Sequence, residues 1–152
     1  MIVERFPLDR HEDERGWFAE LARVSKLPKP IKQANLSWSR QGVIRGLHYH
    51  ERGQDDLFVC LHGRARVVAL DRDTGETFYE DIGDENFSAV YVPGNLAHGF
   101  EALTDVLMLY HVSEEYDAED PDEHEWPWDD PRVVDLWSTR SPILSERDAP
   151  ES

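Results

Sequence analysis

The feature that most constrains the fold of this chain is a series of short apolar runs, which recur at a spacing of about ten residues. Each run is rich in Val, Ile, Leu and aromatic residues, and turn-forming residues such as Gly63 and Pro93-Gly94 separate the runs. The predicted strands are 2–6, 17–21, 31–37, 43–48, 57–61, 65–71, 77–81, 86–92, 98–102 and 106–112. Strands of this length and spacing predict an all-β sandwich or barrel.

Helical signals are weak. The segment Phe18–Val24 is ambiguous between a strand and one helical turn, and the tail beyond Pro131 is expected to be irregular or to add one short helix. A chain of 152 residues is long enough for one domain with a real core, so we predict a single domain over residues 1–152.

The composition also indicates whether the protein is soluble and in which cellular compartment it is found. The chain has no long apolar run, and its first residues lack the basic and apolar segments of a secretory signal. The only cysteine, Cys60, lies in an apolar run and is expected to be a buried thiol without a disulfide partner. We therefore expect a soluble protein in a reducing cytoplasm.

The net charge of −16 argues against nucleic acid and anionic membranes as partners, because Lys and Arg hold polyphosphate surfaces. Ten of the carboxylates lie between Glu114 and Asp130, a stretch without Lys or Arg that we interpret as a solvated loop. This uneven distribution leaves room for a local anion-binding site elsewhere.

Three histidines are candidates for chemistry. His48 and His50 are two residues apart on one predicted strand, so their side chains point the same way, and His98 lies on a strand about fifty residues later. The three could form a metal-binding face inside a barrel, or each could be structural. Gln54 occupies the place of a fourth ligand, and a neutral amide binds a divalent cation poorly. We therefore expect no metal ion, with the metal face as an alternative.

Several segments, in order along nearly the whole chain, share a pattern with one enzyme family. They are Asp13-Glu-Arg-Gly-Trp-Phe-Ala-Glu20, Gln33-Ala-Asn-Leu-Ser37, Gly42-Val-Ile-Arg-Gly-Leu-His-Tyr49, Val92-Pro-Gly-Asn-Leu-Ala-His-Gly-Phe100, Leu109-Tyr110 with Tyr116, Trp128-Asp-Asp-Pro131 with Trp137, and Leu144-Ser-Glu-Arg-Asp148. Together they resemble the dTDP-4-dehydrorhamnose 3,5-epimerase family, cupin-type β-barrels that act on nucleotide-linked 4-keto-6-deoxysugars. The resemblance implies a cupin or jelly-roll barrel, an isomerase without cofactor or metal, and a homodimer in which an N-terminal strand can cross to the partner.

The chemistry of such a reaction requires particular groups. A ketone at C4 acidifies the protons at C3 and C5, so epimerisation needs a base on one ring face, a proton donor on the other and stabilisation of the enolate. His48 is the natural base, because an imidazole exchanges protons near neutral pH. By resemblance, Asp148 orients His48 and Tyr110 is the acid on the opposite face. Without the resemblance, Tyr110 would be read as a core tyrosine.

The resemblance also implies a set of substrate-binding residues. These are Arg15, Phe18, Glu20, Gln33, Asn35, Arg45, His98 and Tyr116. Arg15 and Arg45 would meet the diphosphate, since forked guanidinium donors suit phosphate oxygens. Taken alone, both arginines could equally be surface charges.

The chain departs from the family pattern at three positions. Asp56 stands where a lysine is usual, His50 where glutamine is usual, and Val67 where aspartate is common. A carboxylate in place of the lysine removes a cation that would stabilise the enolate. Either another group substitutes, such as Arg64, Arg66 or an arginine of a partner subunit, or the reaction has changed.

Three functions therefore remain open from the sequence. The first is an epimerase that acts at C3, C5 or both on a dTDP-linked 4-keto-6-deoxyhexose, with 3,4-ketoisomerisation as a related activity on the same substrate class. The second is a metal-dependent cupin that uses His48, His50 and His98. The third is a module that binds a sugar nucleotide without proton exchange.

Overall fold

The computed structural model describes residues 1–149, which form a fold built almost entirely of β-strands. The strands are β1 (Glu4–Pro7), β2 (His11–Asp13), β3 (Gly16–Phe18), β4 (Gln33–Ser39), β5 (Ile44–Tyr49), β6 (Asp56–His62), β7 (Arg64–Leu70), β8 (Thr77–Gly83), β9 (Ser88–Val92), β10 (Ala97–Ala102), β11 (Val106–Val112) and β12 (His124–Glu125). Short 3₁₀ turns lie at Val24–Lys26 and Val134–Leu136.

The strands form two five-stranded antiparallel sheets and a small hairpin. The first sheet has the order β1-β9-β6-β11-β4, the second has the order β12-β5-β10-β7-β8, and β2 pairs with β3. Neighbours in each sheet are mostly distant in sequence, because the chain crosses repeatedly from one sheet to the other. This arrangement confirms the predicted all-β, jelly-roll fold.

Apolar side chains fill the space between the two sheets. Phe58, Val90 and Met108 of the first sheet pack with Val67 and Phe100 of the second. Removing such side chains from water is the main source of stability in a fold of this kind.

Both sheets are also covered on their outer faces. The C-terminal tail packs Trp128 and Trp137 against Val68 of the second sheet, and the N-terminal loop packs Leu21 near Val59 of the first. Burial on both faces explains why the central strands read as continuous apolar runs and not as a strict alternation.

Every predicted strand overlaps an observed one, but the predicted strands differ from the observed strands near the two ends of the chain. The run 17–21 leaves the β conformation after Phe18, and β2 and β12 were not predicted. Up to residue 149 the tail is irregular apart from one 3₁₀ turn, as expected. β2 is polar and exposed, and β12 exists through its pairing with β5, so neither carries an apolar pattern. Within residues 1–149, no helix is long and apolar enough to cross a membrane.

Candidate active site

A cavity of about 840 Å³ lies between the two sheets, within the range typical of small-molecule sites. β4, β6 and β11 of the first sheet line one side, and β5 and β10 of the second sheet line the other. His48 and His98 both line it, so the strands that carry these two histidines face one interior.

His48 and Asp148 form the first polar pair of the cavity. The His48 Nε2 atom lies 2.7 Å from Asp148 Oδ1, and the backbone N–H of Gly46 donates to Asp148 Oδ2 over 3.2 Å. Burial alone would raise the pKa of Asp148, but the hydrogen bonds from His48 and Gly46 outweigh it and lower that pKa. An ionised Asp148 accepts a hydrogen bond from the Nε2–H group, and the lone pair of the neutral imidazole is then on Nδ1.

The local backbone explains this placement. Gly46 has a φ of +151°, and a Cβ atom there would lie 2.9 Å from the Cα of Gly99, so β5 and β10 approach too closely for a larger residue. The tail runs beside β5, where the N–H of Ile143 donates to the carbonyl of Gly42 over 2.9 Å. This contact brings Asp148 to a strand that is 100 residues away in sequence.

Tyr110 lines the cavity from β11, in the sheet opposite His48. Its ring stacks on Phe58 with centroids 6.0 Å apart. Burial raises the pKa of Tyr110, with the nearby Arg45 acting in the opposite direction. The phenol therefore stays protonated at neutral pH and can donate a proton.

A second polar group in the cavity consists of His50, Asp56 and His98, all buried. Asp56 Oδ2 lies 2.9 Å from His98 Nε2 and 3.6 Å from His50 Nε2. Burial alone would raise the pKa of Asp56, but the two histidines hold it well below its usual range. Burial alone would lower the pKa of His50, but Asp56 and the carbonyl of Asp122 outweigh it and raise that pKa.

This group corrects the three-histidine face considered from the sequence. Among residues 1–149, the possible ligand atoms of His50, Asp56 and His98 all lie within 4.8 Å of one another, and His48 is not in the group. Sequence reasoning missed the pairing of Asp56 with His50. The available signal was that both residues depart from the family pattern.

Five of the predicted binding residues line the cavity. They are Gln33, Asn35, Arg45, His98 and Tyr116. Gln33 links two of them, because its side-chain amide donates to Asn35 Oδ1 and its oxygen accepts from the Tyr116 N–H, each over 2.9 Å. Arg45 donates to Ser39 Oγ and to a backbone carbonyl, and among the described residues it pairs with no carboxylate. Its charge is available to an anion.

Three other predicted binding residues lie outside the cavity of the chain. Arg15 and Phe18 are on the exposed β2–β3 hairpin, where Arg15 pairs with Asp13, and Glu20 pairs with Arg23. Neither arginine suggested as a substitute cation reaches the cavity either. Arg66 donates to Asp81 over 2.7 Å and to the Leu136 carbonyl, and Arg64 is not among the lining residues.

Comparison with known proteins gives one consistent result. Residues 3–152 match the sequence pattern of the family described as dTDP-4-dehydrorhamnose 3,5-epimerase. The chain is 38% identical over 140 residues to the spore coat polysaccharide biosynthesis protein SpsL of Bacillus subtilis, covering 87% of this chain and 92% of the relative. It is 35% identical over 159 residues to the dTDP-4-dehydrorhamnose 3,5-epimerase of Methanothermobacter thermautotrophicus, covering 91% and 82%.

A solved structure agrees. NovW of Streptomyces spheroides, described as a 4-keto-6-deoxy sugar epimerase, superposes with a TM-score of 0.85 at 30% identity, covering 96% of this chain and 79% of NovW. The chain thus has the fold and the sequence pattern of a sugar-nucleotide epimerase. It belongs to the dTDP-4-dehydrorhamnose 3,5-epimerase family and is an isomerase.

Proposed function

We propose that this chain epimerises C3, C5 or both of a dTDP-linked 4-keto-6-deoxyhexose. The observation that carries the proposal is the pair His48–Asp148 on one sheet of the cavity with Tyr110 on the sheet opposite. A sugar ring held between the sheets has an imidazole on one face and a phenol on the other. Family membership and the names of the relatives support the substrate class.

The reaction uses the two sides of the cavity in sequence. His48 removes the proton from the carbon beside the ketone, and the electron pair of that C–H bond moves into an enolate with its charge on the C4 oxygen. Tyr110 then gives a proton to the same carbon from the other face, which inverts the centre. Asp148 holds His48 in the tautomer that can accept the proton and stabilises the imidazolium that forms.

Binding of the nucleotide uses the opening of the cavity. Arg45 is the guanidinium suited to the diphosphate, because its charge is not neutralised by a neighbouring carboxylate among the described residues. Gln33, Asn35 and Tyr116 supply amide and phenol groups for the nucleotide. His98 lies on the strand beside His48 and would be near the sugar.

We also propose that the active protein is a homodimer in which the β2–β3 hairpin completes the cavity of the partner. The hairpin exposes Trp17 and Phe18, which are 56% and 65% accessible. The edge strand β4 exposes Leu36 and Trp38, which are 60% and 53% accessible. Large exposed apolar side chains are typical of an interface, and such a dimer would bring the hairpin's arginine to a second copy.

The epimerase proposal is tested by hydrogen exchange. The protein is incubated in D₂O with a dTDP-4-keto-6-deoxyhexose, and NMR follows which sugar protons are lost. We expect loss at C3, at C5 or at both, and no loss from the matched dTDP-hexose that lacks the ketone. Binding without exchange at either carbon would contradict an epimerase and support a non-catalytic binding module.

The dimer proposal is tested by mixing two inactive variants. Arg15→Ala and His48→Asn would each be inactive alone, but mixed dimers would contain one site in which both residues are intact. Recovery of about a quarter of the wild-type activity is expected for random exchange of subunits. No recovery after verified subunit exchange, or a monomeric protein by light scattering, would contradict the shared site.

The cytoplasmic location is a proposal that rests on Cys60, which is buried and free. Burial raises the pKa of its thiol to about 11, so the group is unreactive in the folded chain. Fractionation of cells that make the protein would check the location, and recovery outside the cytoplasm would contradict it.

A further inference from the structure

The buried cluster of His50, Asp56 and His98 has no part in the proton transfers proposed above. Both histidines are held in a known tautomer by backbone carbonyls. His50 Nδ1 lies 2.6 Å from the Asp122 carbonyl oxygen, and His98 Nδ1 lies 2.8 Å from that of Leu96. A carbonyl only accepts, so each Nδ1 carries the hydrogen. In the neutral rings, the lone pairs are therefore on Nε2.

These lone pairs converge on a carboxylate. The Nε2 atoms of His50 and His98 lie 3.6 Å and 2.9 Å from the same oxygen of Asp56. Three electron-rich atoms that face one another away from water repel, so a positive charge has to lie among them. That charge is either a proton on an imidazole or a metal cation.

The geometry suits a metal cation. Two ligand atoms that are each about 2.1 Å from one ion lie about 3.0 to 3.4 Å apart in octahedral or tetrahedral coordination. The two separations from Asp56, 2.9 and 3.6 Å, lie close to this range, and all three ligand atoms lie within 4.8 Å of one another. Metal-bound histidines commonly donate their other ring N–H to a carbonyl, as both rings do here.

We propose that His50, Asp56 and His98 bind one divalent transition-metal ion, such as Zn²⁺ or Fe²⁺, with an open coordination position toward the cavity. Two imidazoles and one carboxylate are a common ligand set for these ions. The sequence alone predicts no metal, because there Gln54, and not Asp56, stands as the residue that completes the ligand set with the histidines. The carboxylate supplies the charged ligand that an amide lacks.

Gln54 can accommodate the presence or absence of an ion. Its side-chain nitrogen lies 2.9 Å from Asp56 Oδ1 and 3.2 Å from His50 Nε2, so it donates to both. Turning the amide by half a rotation places its oxygen at the same point, where it could be a further ligand. In the ion-free form, the Gln54 amide and one proton between His98 and Asp56 would satisfy the cluster.

A bound ion would explain why Asp56 replaces the usual lysine, because the ion can stabilise the enolate in its place. This part of the inference rests on the proposed epimerase function. Two neutral imidazoles, one carboxylate and a divalent ion carry a net charge of +1. When His48 removes the proton, negative charge develops on the C4 oxygen, and an ion with an open position on the same cavity can bind that oxygen. No electron is transferred, and the proton that leaves one face is replaced from the other.

Metal binding is measured first, without substrate. The full-length protein is stripped with a chelator, titrated with Zn²⁺ by calorimetry, and loaded with Co²⁺ for visible absorption spectroscopy. We expect one ion per chain and a Co²⁺ spectrum that reports nitrogen and oxygen ligands at a low coordination number. A protein that takes up no stoichiometric ion overturns the proposal and leaves the proton as the charge in the cluster.

Variants identify the ligands. Asp56→Asn and His50→Gln keep side-chain size and hydrogen bonding and should each weaken Zn²⁺ binding by about 100-fold or more. His62→Gln is the matched control, because His62 is exposed at the opposite end of the strand that begins with Asp56. Circular dichroism and thermal melting confirm that each variant folds. Equal binding by all three variants would show an adventitious site and overturn the proposal.

The role of the ion is measured separately by deuterium exchange. Stripping should slow exchange by about 10-fold to 10³-fold, and Zn²⁺ or Fe²⁺ should restore it in the wild type but not in Asp56→Asn. One bound ion with exchange that is indifferent to its removal would overturn its role with the enolate. One bound ion with no exchange under any condition would instead contradict the proposed epimerase and leave the metal site standing.

Discussion

Two histidine–carboxylate groups share one cavity, and they differ in how many ring nitrogens are occupied. In the His48–Asp148 pair, a carboxylate holds Nε2, and Nδ1 carries the lone pair. In the cluster of His50, Asp56 and His98, backbone carbonyls hold both Nδ1 atoms, and both Nε2 atoms point to a carboxylate. A histidine with a free nitrogen can exchange protons with substrate, whereas one with both nitrogens engaged can only hold a charge in place.

The two groups also differ in access and construction. The His48 side chain is 23% exposed, whereas those of His50 and His98 are 3% exposed. Asp148 comes from the C-terminal tail, but Asp56 begins a central strand of the first sheet. The proton-transfer pair therefore depends on how the tail packs, and the buried cluster depends on the barrel itself.

The strongest test of this comparison is His48→Asn. Asparagine can keep a hydrogen bond to Asp148 but cannot accept a proton, and the loss of a general base typically costs about 10² to 10⁴ in rate. Deuterium exchange measured by NMR should fall by this factor, while the thermal melting temperature stays close to that of the wild type. Exchange at the wild-type rate would show that the base is another group.

The next effect is expected for Asp148→Asn. The asparagine amide can donate to His48 Nε2, which would move the ring hydrogen to Nδ1 and remove the lone pair needed for catalysis. We expect kcat to fall by about 10²-fold or more with little change in KM, as for other histidine–aspartate pairs in which the tautomer is lost. A fall confined to KM would instead assign Asp148 to substrate binding.

Tyr110→Phe separates the two faces of the cavity. The variant keeps the ring that stacks on Phe58 but loses the phenol, so His48 can still remove and return a proton on its own face. Deuterium should continue to enter the sugar, whereas formation of the inverted epimer should fall by about 10². Equal falls in exchange and inversion would show that Tyr110 acts before the proton is removed.

The smallest effect concerns the tail that carries Asp148. The Asp130 carboxylate accepts from the guanidinium of Arg132 and, over 2.9 Å, from Trp126 Nε1, and these hydrogen bonds lower its pKa. A carboxyl with a lowered pKa in the folded state stabilises the fold above its unfolded pKa, and this contribution is lost as pH falls. We expect stability to decline below about pH 5, because the unfolded chain binds protons there more readily.

Asp130→Asn should remove part of this dependence. The variant should lose about 1 kcal/mol at pH 7, or about 2 to 4 °C in melting temperature, and the difference from the wild type should shrink toward pH 3. Thermal melts across this pH range make the measurement, with Asp129→Asn as the control on the neighbouring, exposed carboxylate. A difference that grows as pH falls would contradict the assignment.

Much of the fold could be predicted from the sequence, because burial on two faces leaves a continuous apolar run that marks a strand. The runs at 57–61 and 106–112 lie within observed strands for this reason. Strand β2 of the hairpin around Arg15 could not be predicted, because it is polar and pairs with β3 by backbone hydrogen bonds without burying a side-chain face.

By itself, the sequence determined the all-β class, the family and the enzyme class, and it assigned candidate roles to His48, Tyr110 and Asp148. These follow from local patterns and from segments that keep their order along the chain. Only the tertiary structure decided which histidines meet which carboxylates, since β5, β6 and β10 reach the cavity from two sheets. Spacing along a strand predicts a shared face, but pairing between strands decides which side chains meet. For this reason the sequence showed Asp56 only as the loss of the usual lysine cation, whereas the structure shows it as the partner of two histidines.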